Sequence, residues 1–398
     1  MMKRRRQKVG FKSLRPAGLW GLTAGIWLGG AALCAANGPA HVGAFKDYKG
    51  SIHVHSALSH DSPASVSELI SAANQADLDF VMLTDHIPVQ SSERILDGFE
   101  GKTLFIAGCE LLKSGKSLQL SDSLLLVGFR PDELPSPAPS LAQAVDLAHR
   151  SGGLAIAAHP LGFQNWEAEI DGMEIYDLAD DLLPSGLDWT WKGPDYAWRA
   201  LKLRFLNASS EDVLPALIRR PNAHLQLWDR QLQRRRIFGI GAPDAHQNMQ
   251  ILGRQVDPYA ATLLLPAVHI LAQELSREAL IEALSQGRAY TGFDLLADST
   301  GFEFTALSAS NTRPVPQGSE VAMSPGLRLN VRVPAPQGDR FRVYLLRDGV
   351  VLQTSGKALV ASPVEHPGVY RVEVMLQRGA DWKPWIYSNP IYVRSKVP

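Results

Sequence analysis

The sequence predicts an α/β barrel or doubly wound sheet followed by a small antiparallel sandwich, and three observations carry that expectation. Between about Gly50 and Arg288, short apolar runs alternate with longer amphipathic ones, the pattern of repeated β and α elements. Several of the short runs are apolar at nearly every residue (FVML, LLLV, LAIAA), as parallel strands buried on both faces are. After about Gly301 the texture changes to alternating stretches such as LRLNVRV and VYRVEV. Turn signals like Arg-Asp-Gly and His-Pro-Gly separate them, which marks an all-β, Ig-like sandwich of roughly a hundred residues.

The expected boundaries are 1–36 for a signal peptide or N-terminal anchor, 45–300 for the α/β part and 301–398 for the sandwich. Residues 1–36 carry a basic stretch ending at Arg15, an apolar run from Ala17 to about Leu33, and then Cys-Ala-Ala-Asn-Gly. That is the layout of a secretory signal cleaved after Ala36. The run also approaches the length that spans a bilayer, so an uncleaved anchor is the alternative. Either way the expected location is periplasmic or extracellular. With the signal removed, Cys109 is the sole cysteine and no intramolecular disulfide forms.

Strands are expected at Ser51–His55, Asp79–Thr84, Thr103–Gly108, Ser123–Val127, Leu154–Ala158, Gly172–Ile175 and Ile237–Ile240, with helices at Val66–Gln75, Leu141–Ser151, about Ala223–Arg236 and Arg277–Gln286. The Trp/Pro/Gly-rich segment Asp177–Trp198 reads as a loop over the top of the barrel. In the tail, Leu327–Val333, Phe341–Leu345 and Val369–Val374 are the alternating strands.

Charge narrows the partners. Formal net charge is zero, with 40 basic and 40 acidic residues. Seven of the basic residues lie in 1–36, which leaves 33 basic against 40 acidic in the remainder. No basic stripe is left to track nucleic acid, and a small anionic molecule is the expected partner.

The histidines carry the chemistry. His53 and His55 flank Val54, so a strand points both imidazoles to one face. Further expected strand ends carry Thr84-Asp85-His86, Gly108-Cys109-Glu110, Ala158-His159-Pro160 and Asp244-Ala245-His246, and His60 with Asp61 follows the first. Active sites of α/β barrels form where several strands end. His, Asp and Glu are the ligand set for zinc, manganese or iron. His149, His224 and His269 fall in helical patterns and read as surface or packing residues. Cys109 reads as a small apolar side chain in a buried strand.

Taken in order, HVHSALSHD, LTDH, GCE, AHP and APDAH resemble the motifs of the PHP (polymerase and histidinol phosphatase) superfamily, over about Gly50 to Arg254. The resemblance implies a distorted (β/α)7 TIM-like barrel holding up to three metal ions. GRAYTGFDLLADSTGFEF and WKPWIYSNPIYV look like the exported, carbaryl-hydrolase-like branch (CehA/McbA-type proteins). Carried over, His53, His55, Glu110 and Asp244 hold a first metal, and Glu110 bridges to a second that His159 also binds. His86 and His246 hold a third, joined by His60, with Asp61 the alternative if the loop slips by one. The chain departs from the pattern at Ser123, where the family commonly has a second-metal histidine; Asp122, water or substrate are the candidates to complete that site.

The implied activity is hydrolysis by metal-bound hydroxide with two to three divalent ions (Zn, Mn or Fe). A small phosphate ester is the expected substrate; the alternatives are a carbamate, ester or amide, or a non-catalytic binding barrel. Asp85 is a candidate to orient an imidazole, with a turn cap as the equal alternative. Arg254 is a candidate to bind an anionic substrate, against a plain surface arginine.

Overall fold

The computed structural model describes residues 41–42, 45–87, 94–112, 122–135, 139–178, 180, 210–251, 253–308, 313–335 and 338–396. The expected signal and residues 181–198 of the expected loop lie outside the described residues. The longer strands of the first three quarters are β1 (Phe45–Val54), β2 (Phe80–Leu83), β3 (Thr103–Ile106), β4 (Gly108–Leu112), β5 (Ser123–Val127), β6 (Leu154–Ala158), β7 (Gly172–Asp177), β8 (Phe238–Ala242), β9 (Ala267–Ala272) and β10 (Ala289–Gly292). The helices are α1 (Val66–Gln75), α2 (Leu141–Arg150), α3 (Ser210–Leu217), α4 (Asn222–Leu232), α5 (Tyr259–Thr262) and α6 (Arg277–Ser285).

Local chemistry explains the helix starts. Ser65 caps α1, its hydroxyl accepting from the Glu68 N–H while Glu68 accepts from the Ser65 N–H at 2.8 Å. Ser140 and Gln143 do the same for α2. Each such cap is worth about 1 kcal/mol.

Two sheets form the site's scaffold. In one, β9, β1, β2 and β3 lie side by side, parallel from β1 to β3 and antiparallel between β9 and β1. In the other the order is β8-β7-β6-β5-β4, with the β4–β5 and β5–β6 pairs antiparallel and the rest parallel. Two isolated parallel bridges, His86 with Glu110 and Val54 with Ala245, tie the sheets together. Ile52, Met82 and Ile106 from the first sheet share one buried cluster with Leu125, Ile156 and Ile240 from the second. Burying each such side chain is worth about 1.5–3 kcal/mol. Gly108 stands at the turn between the sheets, where a Cβ would run into the carbonyl oxygens of Leu83 and Leu126.

The fold is thus mixed α/β but richer in strand than repeated β/α units would be. Two antiparallel pairs occur where a parallel repeat was expected. His269 corrects the helical reading: it lies in the middle of β9, fully buried. His149 is in α2, and His224 is buried in α4. Cys109 is buried as expected, and burial raises its thiol pKa.

The tail adds β11 (Glu303–Leu307), β12 (Arg328–Arg332), β13 (Phe341–Arg347), β14 (Val350–Ser355), β15 (Leu359–Pro363), β16 (Gly368–Arg378), β17 (Asp381–Ser388) and β18 (Ile391–Arg394). β11, β12 and β15 belong to a separate antiparallel sheet, whereas β16, β17 and β18 continue the first sheet through β10. Phe304, Leu329 and Val331 of one sheet pack in one cluster with Val372, Val374 and Ile386 of the other. Arg371 of β16 is bidentate to Asp229 of α4, at 2.7 Å for both contacts. Among the described residues no helix is long and apolar enough to cross a membrane.

Candidate metal centre

The end of β1 is distorted in a way that serves the site. Its pairing with β2 shifts register between Ile52 and Val54, and His53 takes a left-handed backbone, φ 72°. His159, after β6, and Asp244, after β8, are also left-handed, each at φ 45°. Non-glycine residues rarely adopt this conformation, and such strain concentrates at functional sites. The bridge with Ala245 holds the region: its N–H donates to the His53 carbonyl at 3.3 Å, and the His55 N–H donates to its carbonyl at 3.0 Å.

Four expected residues converge here. His53 Nε2 lies 3.2 Å from Glu110 Oε2 and 3.1 Å from Asp244 Oδ1; His55 Nε2 lies 3.3 Å from each. Ligand atoms about 2.0–2.1 Å from a tetrahedral ion stand about 3.3 Å apart, so these spacings fit a common cation. Both imidazoles are fully buried, and neither His55 Nε2 nor Asp244 Oδ1 has a hydrogen-bond partner. Buried polar atoms left unpaired are costly, and a cation would satisfy them.

A second group consists of His55, Asp61, His86 and His246. Asp61 Oδ2 lies 3.1 Å from His86 Nε2 and 3.2 Å from His246 Nε2. Asp61 therefore takes the place expected of His60, whose side chain is 51% exposed and whose Nε2 is 4.0 Å from Asp61 Oδ2. Ser59 braces the group, its Oγ accepting from the His86 N–H at 2.7 Å and lying 3.1 Å from His55 Nδ1. A third group joins His53, His159 and Asp177.

Electrostatics follow the same lines. Burial opposes ionisation of Glu110 and Asp244, but the facing imidazoles outweigh it and hold both carboxyls well below their usual range. Burial likewise opposes the charge on His53, yet Asp244, Glu174 and Glu110 raise its pKa well above normal. Burial and the Asp61 and Asp244 carboxylates compete at His246, which ends raised to about 9. Protons and a metal ion compete for the same atoms at such a cluster.

Other candidates fall elsewhere. Asp85 accepts from the Ser56 N–H at 2.6 Å and from its hydroxyl at 3.0 and 3.1 Å, so it braces the turn after β1 and is not paired with an imidazole in the described contacts. Arg254 opens a short strand against Gln250–Ile251, and its side chain lies outside the described residues. Asp122 accepts from the Gln164 and Asn165 N–H groups at 2.8 and 3.1 Å and from the Asn165 amide at 2.6 Å. It secures the loop after His159. The hydroxyl of Ser123 donates to Glu110 Oε1.

Two positions in the cluster were not anticipated. Glu174, inside β7, is fully buried; its Oε1 lies 2.6 Å from His53 Nδ1 and its Oε2 accepts from the His159 N–H at 2.8 Å. A carboxylate behind a ligating histidine fixes the ring and its basicity. Asp177, the last residue of β7, is the other. A glutamate in the otherwise apolar expected strand Gly172–Ile175 was the available signal, because buried carboxylates require partners.

The described residues thus contain three His/Asp/Glu groups able to hold a metal ion. No family model matches the chain, and no curated protein matches it. Among solved structures, the chain is similar to a two-domain protein from Bacteroides vulgatus described as containing a predicted PHP-like metal-dependent phosphoesterase. The identity is 14% and the TM-score 0.41, over 87% of this chain and 96% of that one.

Proposed function

We propose that the chain is a metal-dependent hydrolase of the PHP kind that acts on a small phosphate ester. The observation that carries this reading is the convergence of His53, His55, Glu110 and Asp244 on one point at ligand spacing, with two of the four atoms unpaired. We read the two bridged sheets as a distorted barrel whose strand ends carry the centre, and residues 1–36 as its export signal.

When bound, divalent zinc, manganese or iron lowers the pKa of water and neutralises charge on a phosphoryl oxygen. The chain's own residues prepare for this. Glu174 holds His53 by Nδ1, so Nε2 faces Glu110 and Asp244. Burial keeps bulk water from His53, His55 and Glu110. Asp61, Glu110, Asp177 and Asp244 stand among the histidines, a mixed oxygen and nitrogen donor set that suits divalent cations.

The test is a hydrolysis panel of phosphate monoesters, phosphate diesters, and carboxyl and carbamate esters, assayed with each of the three metals. Turnover of a phosphate ester, abolished by chelator and restored by metal, is the expected result. Exclusive turnover of carbamate or carboxyl esters would replace the substrate class while keeping the centre. No turnover of any member by the metal-loaded chain would contradict the hydrolase reading.

A further inference from the structure

The end of β7 and the residues just after it bring carboxylates to His159. Ser123 pairs in register with Ala158, the neighbour of His159, and its hydroxyl is hydrogen-bonded to Glu110 Oε1. That oxygen stays 3.8 Å from His159 Nε2, while Glu110 Oε2 faces the first position. Glu110 therefore offers the second position a carboxylate oxygen already engaged by a hydroxyl.

β7 supplies another carboxylate. Asp177 is fully buried, opposite Ala242 of β8. Its Oδ1 accepts from the Asp180 N–H at 2.9 Å, which fixes the carboxylate, while its Oδ2 has no hydrogen-bond partner. His159 Nδ1, on a buried side chain, also lacks one; it lies 3.5 Å from Asp177 Oδ2 and 3.2 Å from Asp180 Oδ2. A buried imidazole nitrogen and a buried carboxylate oxygen, facing each other without a hydrogen bond, make a half-built coordination shell. Asp180 is one-third exposed at its side chain.

We propose that His159, Asp177 and Asp180 form a second divalent-cation site, replacing a histidine that Ser123 does not provide. The inference rests on the metal-dependent reading above and assigns its second ion to different ligands. One carboxylate fixed by a single backbone hydrogen bond and another partly exposed make this the weaker site.

The experiment is a calorimetric titration of the chelator-stripped full chain with Mn2+, with free Mn2+ counted by electron paramagnetic resonance. The wild type is expected to bind a tight class and a weaker one. Asp177→Asn, which keeps the shape of the side chain, should weaken the second class at least about tenfold and leave the tight class within about twofold. His159→Gln should remove the same class, and Asp180→Asn should weaken it severalfold. Asp177→Asn and His159→Gln variants that both keep every class at wild-type affinity would overturn the site and leave a buried ion pair there. A wild type that binds no Mn2+ at all would instead overturn the metal-dependent reading itself. If Asp177→Asn fails to fold by circular dichroism, His159→Gln and Asp180→Asn decide the question in the same way.

Discussion

Two buried clusters of histidine and carboxylate stand among the described residues, and they differ in one respect that separates scaffold from site. Around His269, every polar atom is spoken for: Nδ1 lies 2.9 Å from Asp47 Oδ1, and Nε2 lies 3.0 Å from Asp294 Oδ2 and 3.1 Å from Ser299 Oγ. Asp47 Oδ2 accepts from the Tyr290 hydroxyl at 2.5 Å and the Gly301 N–H at 2.7 Å. Around His53, the network is left open at His55 Nε2, His86 Nδ1, His159 Nδ1, Asp61 Oδ1, Asp177 Oδ2 and Asp244 Oδ1. A closed polar network holds itself together, whereas an open one in a dry interior is costly unless something binds. Composition alone does not distinguish the two; the count of unpaired atoms does.

The comparison breaks first at His53. His53→Ala should lower metal affinity and hydrolysis by more than about a hundredfold, since losing even an outer partner of a ligand costs about 10–100-fold; metal titration and steady-state rates check it. His269→Ala should do the opposite, costing about 3–5 kcal/mol of stability by stranding two buried carboxylates. Its metal content should stay unchanged, as read by denaturant titration beside elemental analysis. Glu174→Gln sharpens the contrast between ligand and support: metal affinity should fall about 10–100-fold while the number of sites is kept.

The smallest effect is a pH slope. Burial opposes the His269 charge, but Asp47 and Asp294 outweigh it and raise its pKa to about 10. A raised folded-state pKa gives stability that is full below the unfolded value, about 6.5, and is lost as pH climbs to about 10. With chelator present throughout, the wild-type denaturation midpoint should fall over that window, and His269→Asn should flatten the slope. A wild-type midpoint constant from pH 6.5 to 10 would contradict a charged His269.

Much of this was legible in the sequence, for physical reasons. His53, His55, His86, Glu110, His159, Asp244 and His246 sit just where apolar runs stop, and strand ends gather side chains from distant segments. Periodicity also reported burial on two faces for LLLV and LAIAA. It carries no information on strand direction, so the antiparallel β4–β5 and β5–β6 pairs were out of reach. The choice between His60 and Asp61 turned on one residue of loop register, which spacing does not fix. Ending the expected strand Gly172–Ile175 two residues early hid Asp177, because the added residues Tyr176 and Asp177 place the carboxylate at the strand end beside His159. His269 was misread because AVHILA suits a buried helix as well as a buried strand.

The most direct test is metal content per chain, by elemental analysis of the full chain and of its His53→Ala and His269→Ala variants purified without chelator. The account predicts at least one equivalent of zinc, manganese or iron in the wild type, its loss in His53→Ala and its retention in the folded fraction of His269→Ala. A wild-type chain that carries no metal and takes none up on reconstitution, or equal loss in both variants, would contradict it.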